Sequence, residues 1–360
     1  MFEFLWNGDE SEEDRFSGQW PVATGNGRRQ HHDRDDHGGT GKAKAHTQTH
    51  LSERRGTQGS QELKLDSYHT KGTRMATAAH NAEGVLSGRI AIITGASAGI
   101  GLACAEDMVA HGARVVLNAR RDGPLNELAE KLDAKGGGKA GSRRAVVVAG
   151  DASDDGVIAQ MFEAARGMDR SRGADLVVVN AGRGLNGSVV TSDITQWEEM
   201  VRTNVLGAAK LIRAAALEML EQIVKETGVD AAAVGTPLGA KALNRARDIV
   251  VLGSTVGRHI SPFSSMYGST KFAANSLAEG ARRELGPKGV RVTLIEPGFV
   301  ESEFQGVAGY ATEWFESVKG RIGPVLVPMD VAESIRFACG LPARVHVNDI
   351  VIRPTRQDYP

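Results

Sequence analysis

From residue 89 onward the chain alternates short, unbroken apolar runs with longer stretches of mixed polarity. Runs rich in Val, Ile and Ala fall at 89–95, 114–119, 144–150, 175–180, 248–253, 291–296 and 348–353. Continuous apolar strands, unlike alternating ones, are what a parallel sheet buries on both faces. The stretches between them, such as 100–111, carry apolar residues at helical spacing. The pattern predicts an α/β fold with a doubly wound parallel sheet, in a single domain over residues 84–360. The glycines at 136–138 and the stretch 228–247 read as surface loops.

Residues 1–83 show no such periodicity and are rich in Gly, Gln, Thr, His and charged side chains. A segment with so little apolar surface cannot offset the entropy of ordering its backbone, so a disordered extension is expected there, and Met75 reads as the biological start. Gly38-Gly39-Thr40-Gly41-Lys42 has the look of a phosphate loop but lacks its spacing, its following Ser or Thr and a preceding strand. His31, His32, His37, His46 and His50 have nothing around them to orient them as metal ligands. Asp33, Asp35 and Asp36 dilute the field of Arg28, Arg29, Arg54 and Arg55. No metal site is expected.

A net charge of −1 over 360 residues gives no global attraction to nucleic acid or to an anionic membrane. No apolar run reaches the ~18 residues that span a bilayer. The acidic start fits neither a signal nor a transit peptide. The reading is a soluble, cytoplasmic protein whose partner is a small molecule. The only cysteines, Cys104 and Cys339, lie in apolar helical stretches and read as buried hydrophobes.

Residues able to do chemistry cluster where strands end. The first strand runs into Thr94-Gly95-Ala96-Ser97-Ala98-Gly99-Ile100-Gly101. The glycines let the backbone turn sharply and approach a pyrophosphate, whose charge is favoured by the free N–H groups and dipole of the next helix. The same residues could make a plain strand–helix connection, and their spacing is not the commoner dinucleotide fingerprint. Asp151 and Asn180-Ala181-Gly182 end the third and fourth strands, and Ser254 ends the fifth. Asn204 lies within an amphipathic helix, where asparagine costs stability relative to alanine. Tyr267 and Lys271, four residues apart, share a helix face. An ammonium near a phenol favours phenolate, which makes Tyr267 a candidate general acid/base.

In this order and setting, the residues resemble the classical short-chain dehydrogenase/reductase family, over essentially all of 85–360, and imply a Rossmann fold. By that resemblance Ser254 would hydrogen-bond the substrate oxygen and Tyr267 would exchange its proton. Lys271 would lower the tyrosine pKa and hold the nicotinamide ribose, and Asn204 would position a water. Thr94, Gly95, Ser97, Gly99, Ile100 and Gly101 would cradle the cofactor pyrophosphate. Asp151 would meet the adenine, and Asn180, Ala181 and Gly182 would shape the cofactor floor. Pro297-Gly298-Phe299-Val300-Glu301-Ser302 is similar to the family's Pro-Gly-xxx-Thr segment, with Val300 meeting the carboxamide through its backbone and Ser302 keeping the hydroxyl. The resemblance also implies a homodimer or homotetramer, although the chain between Asn204 and Ser254 is longer than the family pattern, with 229–237 as an exposed tip.

Cofactor choice turns on the end of the second strand. An NAD enzyme of this fold normally carries Asp or Glu there, which repels a 2′-phosphate. Here Ala119 is followed by Arg120, whose guanidinium fork suits phosphate, with Arg121 next to it, so NADP(H) is expected; simple solvation of a loop by the two arginines is the alternative. Tyr310, Trp314 and Phe315 read as part of a lid over the substrate. The ending Val345-His-Val-Asn-Asp-Ile-Val-Ile-Arg-Pro354-Thr is similar to the NADP-dependent branch that oxidises serine and related 3-hydroxy acids. The expected function is interconversion of a small secondary alcohol and its carbonyl compound. The alternatives are reduction of a keto-ester, quinone, sugar or acyl thioester, or a non-catalytic dinucleotide-binding regulator.

Overall fold

The computed structural model describes residues 84–135, 143–228 and 243–359; the expectations for 1–83, 136–138 and 229–237 lie outside the described residues. The apolar runs form β1 Ile90–Thr94, β2 Arg114–Ala119, β3 Ala145–Ala149, β4 Leu176–Val179, β5 Asp248–Leu252, β6 Arg291–Pro297 and β7 Asp349–Ile352. They pair in parallel in the order β3-β2-β1-β4-β5-β6-β7. β1, β4, β5 and β6 are buried along their whole length, which explains their unbroken apolar sequences.

The helices are α1 Gly99–Ala110, α2 Asp122–Lys135, α3 Asp155–Met168, α4 Trp197–Val201, α5 Ala208–Thr227, α6 Ser265–Leu285, α7 Phe304–Val307, α8 Thr312–Ile322 and α9 Pro328–Gly340. Alternate strand residues face opposite layers, so Ala91 and Ile93 pack towards α1, α2 and α9 while Ile90 and Ile92 pack towards α3, α5 and α6. Cys104 and Cys339 are buried, unbridged thiols of the first layer, and burial raises both well above the ordinary thiol range, as expected for inert hydrophobes.

Four charges that the sequence reading did not single out lie buried at the N-terminal edge of the sheet. Arg89, just before β1, donates from Nε to Asp175 Oδ1 and from Nη2 to Asp248 Oδ2, both at 2.8 Å. Arg291, the first residue of β6, donates from Nε to Asp248 Oδ1 at 2.7 Å and from Nη2 to Oδ2 at 2.8 Å. Each guanidinium also reaches the Cys339 carbonyl at the end of α9. Pairing and hydrogen bonding together make such burial tolerable.

Among the described residues, no helix is long and apolar enough to cross a membrane, and no group of three or more His, Cys, Asp and Glu could hold a metal ion.

Candidate active site

The strand order reverses between β1 and β4, and ligands of open α/β sheets bind outside the carboxyl ends of strands at such a point. Thr94 ties the two strand ends together. Its Oγ1 donates to Val178 O at 3.2 Å and accepts from the N–H groups of Asn180 and Ala181 at 3.1 and 3.0 Å. Asn180 Nδ2 returns a bond to Thr94 O at 2.8 Å. The turn admits no larger residue at two of its glycines. Gly95 has φ +67°, and a Cβ there would lie 2.7 Å from Asn180 Nδ2; one on Gly101 would lie 2.3 Å from Gly95 O.

Ala98 stands at the N-cap of α1, offers no side-chain acceptor, and is followed by no acidic residue in the first turn. The first N–H groups of the helix are thus left for an external anion. By contrast α3 is capped by its own Asp154, which accepts from Val157 N at 2.9 Å. Half-buried Ile100 anchors α1 against the core. A tight glycine turn leading to an uncapped helix fits the pyrophosphate of a dinucleotide.

Ser302 lies across from this turn, since a Cβ on Gly99 would stand 3.5 Å from Ser302 Cβ. Pro297 ends β6, Gly298 N donates to Ile352 O at 2.8 Å, and Val300 is buried with its carbonyl accepting from Gln305 Nε2 at 2.6 Å. Asp151 accepts from the Ser153 N–H and hydroxyl at 2.9 and 2.8 Å and from Arg202 at 2.9 Å. Burial pushes its carboxyl upwards, but these bonds outweigh it and hold the pKa below the usual value. The two arginines diverge: Arg121 Nη2 stands 3.4 Å from both Ser97 Oγ in the turn and Glu303 Oε2, whereas Arg120 pairs with Glu199 at 3.2 Å.

Asn204, Ser254, Tyr267 and Lys271 come together at the ends of β4 and β5. Ser254 caps a short 3₁₀ turn, Thr255–Gly257, and shares a hydrogen bond with the Tyr267 phenol. Lys271 Nζ donates to Leu252 O at 2.7 Å and lies 5.9 Å from the Tyr267 ring centre. Burial lowers Lys271 from 10.5 to about 8. Burial also raises Tyr267 above its ordinary value, with the Ser254 hydrogen bond pulling the other way. In this geometry desolvation dominates both groups.

Asn204 sits in a π-helical turn, Arg202–Gly207, between α4 and α5. Its Oδ1 accepts from Arg183 N at 2.9 Å, and its Nδ2 donates to Arg183 O at 2.9 Å and to Thr270 Oγ1 at 3.0 Å. Thr270 donates in turn to Tyr267 O at 2.7 Å. Thr270 was not a candidate by sequence, although it stands inside the stretch Tyr267-Gly-Ser-Thr-Lys271; only the fold brings it to Asn204. A π turn leaves a backbone carbonyl without its regular partner and often marks a functional position.

The segment expected to form a lid covers Tyr267. In α7 the Phe304 ring lies 5.5 Å from the Tyr267 ring, centre to centre. A Cβ on Gly184 would meet Phe304 Cζ at 2.4 Å, so the chain after Asn180-Ala181-Gly182 and the lid are in close contact. Asn186 donates from N to Ala308 O at 3.0 Å and from Nδ2 to Gly309 O.

Residues 89–310 match the family described as short chain dehydrogenase. The Mus musculus protein named Dehydrogenase/reductase SDR family member 11 is 32% identical over 278 residues, spanning 75% of this chain and 95% of its own. An uncharacterized oxidoreductase of Staphylococcus saprophyticus is 28% identical over 271 residues, 75% of this chain and 98% of that protein. Among solved structures, the closed form of serine dehydrogenase complexed with NADP+ aligns with a TM-score of 0.61 and 26% identity over 75% of this chain and 96% of that one. A match of this extent, carried by the same strands that shape the site, makes the chain a member of the short-chain dehydrogenase family, and so an oxidoreductase.

Proposed function

We propose that the protein is an NADP(H)-dependent, cytoplasmic enzyme that interconverts a small secondary alcohol, 3-hydroxy acids among the candidates, and the corresponding carbonyl compound. The observation that carries this reading is the juxtaposition of Ser254 with the buried Tyr267, whose ring centre lies 5.9 Å from Lys271 Nζ, next to a glycine turn whose helix is left uncapped. NADP(H) is supported by Ala119 followed by Arg120 and Arg121, and by the NADP+ complex of the serine dehydrogenase to which the chain is similar.

Bound, the cofactor supplies or accepts hydride. The chain's own residues handle binding and the proton. The Thr94-to-Gly101 turn and the N–H groups of α1 hold the pyrophosphate, Asp151 meets the adenine, and Asn180, Ala181 and Gly182 form the floor. The Val300 backbone and the Ser302 hydroxyl face the nicotinamide end, where Lys271 also holds the ribose. Ser254 fixes the substrate oxygen and Tyr267 gives or takes the proton there, with Lys271 lowering the phenol's pKa against the effect of burial. Asn204, in the π turn, positions the relay water. Exposed Leu206, Leu217 and Phe272, on the elements that carry Asn204 and Tyr267, support a homodimer or homotetramer.

The test is NADPH consumption across a carbonyl panel by wild type and by Tyr267→Phe. Loss of a positioned proton donor should lower turnover by about 10²–10⁴-fold. Near-normal turnover by Tyr267→Phe would overturn the reading.

A further inference from the structure

We infer that Asn275 is a positioning residue: with Glu296 and Arg258 it clamps the turn that carries Ser254 onto the catalytic helix, and so sets where the substrate oxygen is held. The inference deepens the reading above and rests on its assignment of Ser254 to that oxygen.

Asn275 follows Lys271 by four residues, one turn further along the same face of α6. The two side chains grip the end of β5 at successive points. Lys271 Nζ holds Leu252 O, two residues before Ser254. The Asn275 amide lies against the glycines on either side of the Ser254 turn. A Cβ on Gly253 would stand 2.5 Å from Asn275 Oδ1, and one on Gly257 would stand 2.7 Å from Asn275 Nδ2. Neither glycine has a positive φ, so close packing, not backbone conformation, excludes a side chain at both.

Glu296 fixes the amide in place. Asn275 Nδ2 donates to Glu296 Oε1 at 2.6 Å, and Arg258, one residue beyond the 3₁₀ turn, donates from Nε to Glu296 Oε2. Arg258 Nη2 reaches Asp349 Oδ2 at the start of β7. The turn is thus tied at its beginning by Gly253 N, which donates to Ile295 O at 2.8 Å, along its length by Asn275, and at its far end by the Arg258–Glu296 pair.

Glu296 is fully buried. A buried ion pair is a poor source of stability, and an apolar residue would fill that place in β6 without desolvating a charge. Asn275 Oδ1 is buried too, with no hydrogen-bond donor among the described residues, which costs free energy. Both costs fall on groups that meet the Ser254 turn, and what they secure is geometry. A displacement of about 1 Å in a reacting group can lower a rate by about a hundredfold.

The experiment combines Asn275→Ala with Ser254→Ala, read by NADPH consumption with the fastest compound of the carbonyl panel and by amide hydrogen exchange. Asn275→Ala alone should lower kcat by about 10–100-fold while NADP+ affinity holds. In the Ser254→Ala background it should add little, because both changes act through one contact. Exchange at Val256 and Gly257, whose N–H groups bond to Ser254, should rise in Asn275→Ala while β4 and β6 keep their protection. Glu296→Gln, which leaves the amide in its place, should show the same pattern more weakly, and it carries the test if melting curves show Asn275→Ala to be unfolded. Unchanged kcat, equal losses with and without the Ser254 hydroxyl, or exchange that rises across the whole domain would overturn the inference. Near-normal turnover by Ser254→Ala would instead overturn the role of Ser254, and exchange at the turn would then judge the clamp.

Discussion

The Arg121 guanidinium is aimed at Ser97: its Nη2 lies 3.4 Å from the serine Oγ, inside the turn that leads into the uncapped helix α1. The same Nη2 lies 3.4 Å from Glu303, while Arg120, the residue favoured by the sequence, pairs with Glu199 away from the turn. Both were candidates for a 2′-phosphate, and the geometry ranks Arg121 first. Arg121→Ala should lower the kcat/KM preference for NADPH over NADH about tenfold or more, as expected for one charge-assisted hydrogen bond. Arg120→Ala should do less. Steady-state kinetics with both cofactors decides it, and a wild type that prefers NADH would refute the assignment to either arginine.

Lys271 makes a pH signature. Its pKa falls from 10.5 in the unfolded reference to about 8 in the buried site. Between those values the unfolded chain holds a proton that the native protein has released, so stability from this group rises with pH across the window and is lost as pH falls through 8. The swing is about 3 kcal/mol. Tyr267 acts with the opposite sign, since its raised pKa gives stability that is lost only above its ordinary value of 10. Chemical denaturation of wild type and Lys271→Met at pH 7, 8, 9 and 10 should show wild type gaining on the variant up to about pH 10. A constant difference would contradict the lowered pKa.

Thr270 links the π turn to the catalytic helix, and Thr270→Val removes that link while keeping the shape. The Asn204 amide would lose a buried acceptor, at a cost of about 1–3 kcal/mol. The kcat should fall roughly tenfold, about what 1.4 kcal/mol of lost positioning is worth, while NADPH affinity holds. Thr270→Ser should restore both. Melting curves with kcat and a cofactor titration separate the two effects, and equal kcat in the Val and Ser variants would show that Asn204 needs no such brace.

At the other edge of the sheet, Asp248 serves two buried guanidinium groups, Arg89 and Arg291. Asp248→Asn leaves Arg291 without its carboxylate and Arg89 with Asp175 alone, and should cost about 3–5 kcal/mol. A drop in Tm of about 10 °C or more follows for a protein of this size. A loss within about 0.5 kcal/mol, ordinary for a surface change, would mean that water or another carboxylate takes over the charge.

The strands were legible because burial on both faces writes an unbroken apolar run, and β1 to β7 all fall where those runs predicted. Ser254 at a strand end and Tyr267 and Lys271 one helix turn apart were legible as positions, while their selection as reacting groups rests on the family resemblance. The ion cluster was not legible. Arg89 and Asp248 are 159 positions apart, and only the strand order makes them neighbours. The π turn at Asn204 was equally hidden, since one residue's change in hydrogen-bond register leaves no mark on apolar periodicity. The split between Arg120 and Arg121 likewise depends on where Glu199 and Ser97 lie after folding.

The same strands carry the ion cluster at one end and the reacting groups at the other. Asp248 and Ser254 bracket β5, six residues and roughly 20 Å apart along an extended chain. That exceeds the distance beyond which substitutions usually combine independently, and it exceeds a physiological Debye length. Loss of folding free energy at Asp248 and loss of turnover at Ser254 should therefore be independent in the double variant. Substrate preference in this protein can then drift, residue by residue at the lid and loops, without reopening the question of whether the chain folds.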